Sequence, residues 1–163
     1  MTADGRTDFD FLTGQWQIAN RKVLRPAPEE TAVWVGFSST ASSRPIIGGL
    51  GNIDEYHAPD SPGCGEYHGF ALRLFDPQAS LWRIWWVSNP GRGDLDPPVA
   101  GRFHGEEGRF ESDDRFEGRP IRVRFKWSEI TPTSARWEQS FSFDGGASFA
   151  VNWIMSFQRV GSW

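Results

Sequence analysis

The sequence predicts an all-β domain: a closed, antiparallel, up-and-down barrel of about ten strands, preceded by one short helical turn. Three observations lead there. Short runs rich in Val, Ile, Phe, Tyr and Trp alternate with polar residues at a period of two, the signature of half-buried strands. Turn residues punctuate those runs at hairpin spacing, with 18 Gly and 11 Pro in 163 residues. No segment carries the apolar repeat of a long helix, and no long crossover interrupts the meander, which disfavours a Greek-key sandwich. A sheet of so many strands must curl, and closure removes its edges. A barrel of about ten strands has room for its own side chains and a small ligand.

Residues 1–7 read as a loose polar tail. Asp8 to Leu12 is expected to make one helical turn, with Thr7 or Asp8 as N-cap and Gly14 ending it. Gln15 to Leu24 sets Trp16, Ile18 and Leu24 against Gln15, Gln17 and Arg21, a strand with one wet face. Arg25 to Glu30 holds two prolines and is a loop. Thr31 to Thr40 forms a second strand carrying Val33, Trp34, Val35 and Phe37, and the small polar run Ser38 to Ser43 predicts an early end or a bend. Gly48, Gly49 and Gly51 crowd a stretch that calls for a bulge or a close backbone approach. Asn52 to His57 is a short strand, and Ala58 to Gly65 a Pro/Gly loop.

Gly65 to Asn89 is the central hairpin. Two aromatic-rich runs flank Asp76-Pro77-Gln78-Ala79, where proline presets φ and aspartate can bond back to the backbone. Asn89 to Pro98 is the longest irregular stretch, either a flap or a Pro-braced loop. Val99 to His104 and Arg109 to Phe116 extend, separated by a turn at Gly105–Gly108. Pro120 to Ile130 alternates most cleanly, with Ile121, Val123, Phe125 and Trp127 against Arg122, Arg124, Lys126 and Ser128. Ala135, Trp137, Phe141 and Phe143 line one face of the next strand, and Phe149, Val151, Trp153, Met155 and Phe157 alternate down the last.

Composition bounds the function. One domain spanning 1–163 is long enough to bury a core without staples. A net charge of -4 argues against non-specific nucleic-acid binding, and the Arg122/Arg124/Lys126 face reads as a solvated outer wall. The single Cys64 cannot form an intramolecular disulfide and has no His or Lys beside it in sequence to activate it. One Cys and three scattered His offer no zinc spacing, so no metal is expected. No signal peptide or membrane-length apolar run is visible, which predicts a cytoplasmic protein.

Phe11-Leu12-Thr13-Gly14-Gln15-Trp16 resembles the opening of calycin-type barrels, the lipocalins and fatty-acid-binding proteins, where a helical turn precedes a Gly-x-Trp strand. Together with Gly48–Glu55, Leu72–Pro77 and Ser134–Gln139, it resembles a family of small bacterial calycin-like proteins of unknown function. The resemblance spans nearly the whole chain and implies the fold; it transfers no activity. Some members of the wider group bind haem, nitrobindin-like proteins through a His near the chain end. Here the last His is His104, so that ligand has no counterpart and the cofactor stays unknown.

The candidate ligand-binding residues are Arg73, Arg102, His104, Asn52, Asp54, Glu138, Trp86, Trp127, Trp137 and Trp153. Asn52 and Asp54 share a strand face and either orient a ligand or bond backbone freed by a bulge. An inward Arg73 needs a carboxylate partner, Glu138 or Asp54, or serves as a ligand clamp. Arg102 and His104 share one face of a short strand. Trp on both faces of 82–86 predicts one face on a cavity and the other against a partner chain or loop, which leaves a homodimer open. Two functions compete. One is a binder of a small, mostly apolar molecule with an anionic or polar end; the other is an enzyme doing acid/base chemistry with His68, His104, Asp54 or Glu138.

Overall fold

The computed structural model describes residues 4–28, 31–91 and 93–161. Residues 1–3 of the tail, Glu29 and Glu30 of the first loop, Arg92 of the Pro-rich loop and residues 162–163 lie outside that set. Ten strands follow one another: β1 (Gly14–Val23), β2 (Trp34–Ile46), β3 (Gly51–Ser61), β4 (Gly65–Asp76), β5 (Leu81–Ser88), β6 (Val99–His104), β7 (Glu107–Phe116), β8 (Arg119–Ser128), β9 (Ser134–Ser142) and β10 (Ala150–Gly161). Each pairs antiparallel with its sequence neighbours, and β1 pairs with β10 to close the barrel. Among the described residues no helix is long and apolar enough to cross a membrane.

Period-two alternation sorts inside from outside. Trp16 and Ile18, Tyr67 and Ala71, Trp82 and Ile84, Val123 and Trp127, and Met155 and Phe157 are all buried inward. Outside, the Arg122/Arg124/Lys126 face is ion-paired: Arg122 and Arg124 hold Glu111 at 3.0 and 2.7 Å, and Lys126 reaches Glu107 at 3.4 Å. The hairpin turn forms as its sequence requires, with Asp76 Oδ1 accepting the Gln78 and Ala79 N–H groups and Arg83 donating to Oδ2. Trp82 and Trp86 point inward, whereas Trp85 lies outside beside Leu72 and Ile53 on one cross-strand rung.

Several local expectations are corrected. Residues 4–7 are docked, because the Gly5 carbonyl accepts bonds from Trp82 Nε1 and the Asp8 N–H. The helical turn is a 3₁₀ turn at Asp10–Leu12 without a side-chain cap; Phe9 occupies the cap position and buries its ring instead. β1 buries Asn20 and Val23 and leaves Leu24 exposed past its end. β2 runs on through the small polar stretch, since Ser39, Ala41 and Ser43 face inward where larger side chains from β1 and β3 need the space. β3 likewise runs past His57 to Ser61. In β10 a register shift between Val151 and Trp153 flips parity, so Val151 faces out and Asn152 faces in. The glycine cluster makes a 3₁₀ turn at Ile47–Gly49, then a close approach: a Cβ on Gly51 would sit 2.5 Å from the Arg73 carbonyl oxygen.

The two barrel ends differ. One is plugged. Phe9 packs its ring against those of Trp82, Phe103, Phe110 and Trp127, at centroid distances of 5.0 to 6.3 Å. Trp16 Nε1 donates to the Leu12 carbonyl, and Arg159 lies 4.2 Å over the Trp16 ring while donating to the Phe11, Thr13 and Pro132 carbonyls. At the opposite end β6 is too short to bridge its neighbours, because it pairs with β5 only over Trp82–Ile84. The loop after β5 covers the gap, and the Asp96 N–H donates to the Trp86 carbonyl at 2.8 Å.

Candidate functional site

A cavity of about 70 Å3 lies inside the barrel above the plug. It widens into a vestibule of about 290 Å3 at the end where β6 falls short, and Ile84, Trp86, Asp96, Phe125, Gln139 and Trp153 line both. The floor is polar because two adjacent strands turn their polar residues inward together. β3 supplies Asn52 and Asp54, and the register sets Asn52 opposite Arg73 of β4. Arg73 donates from one Nη to Asp54 Oδ1 at 2.6 Å and to Asn52 Oδ1 at 3.0 Å, and from the other to Asp54 Oδ2 at 3.4 Å. Arg73 is 5% exposed, so the pair is removed from water and each charge neutralises the other.

That pairing leaves donors over. Arg73 Nε and Trp127 Nε1 are buried without a hydrogen-bond partner, and both residues line the cavity. The guanidinium carbon lies 6.0 Å from the Trp127 ring centroid, so the two side chains are neighbours at the floor. Ser43 Oγ, on the residue paired with Asp54 across β2 and β3, is a third buried group without a partner.

Aromatic side chains make the walls. Trp137 meets Trp153 edge-on at 5.6 Å, and Tyr56 stands edge-on to Trp86 and Trp153. A buried network fixes them. Asn20 Oδ1 accepts from Tyr56 Oη and Trp153 Nε1, each at 3.0 Å, while its Nδ2 donates to Ser39 Oγ. Burial pushes the Tyr56 hydroxyl pKa well above its ordinary value, and it raises that of Tyr67. At the mouth, Asp96 faces the vestibule with Asp114 near it; partial loss of water, then the charge of Asp114, raises its pKa.

The structure thus brings together Asn52, Asp54, Arg73, Trp86, Trp127, Trp137 and Trp153. It does not bring in Arg102, His104 or Glu138. Val99 and Phe103 of β6 turn inward, so Arg102 and His104 point out, and Arg102 donates to the Ala79 carbonyl. Trp137 and Gln139 flank Glu138 and face the cavity, so Glu138 lies outside between Lys126 and Arg136, and Asp54 is the partner of Arg73. His68 stacks on His57 outside the wall, far in the register from His104. With all three histidines on the outer face, a haem in this cavity would find no imidazole ligand. Residues that the sequence did not single out are Asn20, Tyr56, Tyr67, Asp96 and Gln139. For Asn20 the signal was present, since it continues the inward parity of Trp16 and Ile18.

No family model matches the chain, and no curated protein matches it. Among solved structures it is similar to an S-type phycobiliprotein lyase from Guillardia theta, with a TM-score of 0.60 and 9% identity over 98% of this chain and 97% of that one. The barrel is lipocalin-like. At that identity the similarity is one of fold. In this lipocalin-like barrel the plug, the polar floor and the aromatic walls follow from the chain's own residues.

Proposed function

We propose that the protein binds a small, mostly apolar molecule whose buried end is a neutral hydrogen-bond acceptor. The observation that carries this reading is the pair of free donors, Arg73 Nε and Trp127 Nε1, in a cavity walled mainly by aromatic and apolar side chains. Leaving two buried donors unpaired costs about 1–3 kcal/mol each, and one acceptor oxygen would recover much of that. Asp54 already neutralises Arg73. A carboxylate added beside them would bring a net negative charge into a low-dielectric site, facing Asp54, and at the entrance Asp96 and Asp114 outnumber Arg115. A carbonyl or ether oxygen meets neither penalty. At about 70 Å3 the cavity takes only a small group, so the bulk of a larger ligand would sit in the vestibule.

The competing enzyme reading loses ground to the same geometry, because His68, His104 and Glu138 lie outside the wall and Asp54 is held by Arg73. The test is a matched pair of probes, acetophenone and benzoate, followed by proton–nitrogen NMR. Acetophenone is expected to shift the Trp127 Nε1–H and Arg73 Nε–H signals, with benzoate binding about tenfold more weakly or worse. Tighter binding of benzoate would return the anionic end, and silence of both signals with both probes would sink the cavity as a binding site.

A further inference from the structure

We propose that His57, Glu66 and His68 form a site for a late first-row divalent cation such as Zn2+ on the outer wall of β3 and β4. Their order in the sequence hides it, since nothing in a spacing of nine and two residues resembles a zinc motif. Register creates it. β3 and β4 pair so that His57 stands directly opposite His68, and both side chains turn outward because Tyr56, Ala58 and Tyr67 turn in. The imidazoles stack with centroids 4.5 Å apart and planes 16° from parallel.

Glu66, two residues before His68 on the same face of β4, reaches up to both rings. Its Oε1 lies 3.0 Å from His57 Nε2 and 3.3 Å from His68 Nε2. One ligand atom from each residue falls within 4.8 Å of the others. Tetrahedral Zn2+ with bonds of about 2.0–2.2 Å holds its ligand atoms about 3.3–3.6 Å apart, and the two separations from Glu66 Oε1 lie within a few tenths of an ångström of that spacing. Two imidazole nitrogens and a carboxylate oxygen are a donor set suited to such ions, and three protein ligands leave a fourth position open.

The backbone under the site is braced. Asn89, just past β5, accepts the His68 N–H at its Oδ1 at 2.7 Å, and its own N–H donates to the His68 carbonyl. Its Nδ2 reaches the Glu66 carbonyl. Asn89 therefore holds both β4 ligands from the far side, so little chain ordering remains for the ion to impose.

Calorimetric titration of the folded protein with Zn2+ reads the site. One ion per chain is expected, and His57→Ala and His68→Ala should each weaken it by at least the roughly tenfold that loss of an outer-shell partner costs. His104→Ala, on β6, should change nothing. In the unaltered protein, Zn2+ should shift the ring nitrogen signals of His57 and His68 and leave those of His104 in place. The proposal is overturned by full-strength binding in both single variants, by ring shifts at His104 in place of the pair, or by no response of either ring to Zn2+.

Discussion

At the scale of single residues, the barrel interior turns on one ion pair. Arg73 and Asp54 have side chains only 6% and 11% exposed, in a chain whose other interior neighbours are mostly apolar or aromatic. Removing one partner strands the other charge. Arg73→Ala should therefore destabilise the fold by about 3–5 kcal/mol, and chemical denaturation should show it. The paired substitution Arg73→Met with Asp54→Leu removes both charges and should restore much of that loss. If the single and double variants are equally unstable, packing and not charge explains Arg73. The pair also favours the β3–β4 register in which Gly51 lies close to the Arg73 carbonyl: a slip of either strand by one residue would turn its own charge outward and leave the other buried without a partner.

At the scale of elements, the loop between β5 and β6 decides access. It stands where β6 fails to bridge β5 and β7, and its Asp96 N–H bonds to the Trp86 carbonyl beside a carboxyl whose pKa is raised. A raised carboxyl favours the docked loop when protonated. Docking is then strongest below the ordinary aspartate value of 3.8 and weakens as pH rises through the raised value. Hydrogen-exchange protection of the Asp96 amide, corrected for the intrinsic rate, should fall over that range, and Asp96→Asn should flatten the profile. A profile unchanged by the substitution would separate the loop from its carboxyl. The neighbouring β9–β10 turn works in the opposite sense. There Asp144 accepts from Ser148 and Ser142, which hold its pKa down at about 2, so that turn loses its bonds only in strong acid.

At the scale of the whole molecule, the plugged end sets where the cavity stops. Phe9 stands 5.3 Å from the Arg73 guanidinium and is ringed by five aromatic side chains, so one residue outside any strand sits at the centre of the plug beneath the polar floor. Phe9→Ala should cost about 3–5 kcal/mol and open a second route to Arg73. Thermal or denaturant unfolding checks the first effect, and faster exchange of the Trp127 indole N–H checks the second. Unchanged indole exchange in a destabilised variant would mean that Trp82 and Phe110 seal the end without it.

The sequence by itself determined the ten-strand antiparallel meander, its hairpin turns, the charged outer wall of β8 and the inward set of Trp127, Trp137 and Trp153. All of these depend on local turn chemistry and period-two alternation, which a chain carries within a few residues. Parity alone failed where β10 bulges and turns Val151 outward, because the extra residue shows only when β10 is counted against β9 and not in the alternation of β10 by itself. Arg102, His104 and Glu138 have the right chemistry, but the inward parity of Phe103, Trp137 and Gln139 leaves them outside. Tertiary structure alone decided which distant groups meet: Arg73 with Asp54, Asn20 with Tyr56 and Trp153, and His57 with Glu66 and His68. The physical reason is register. Two strands fix which residues stand opposite one another only when they pair, and the Arg73–Asp54 pair and the His57–Glu66–His68 triad are both built across the β3–β4 pairing.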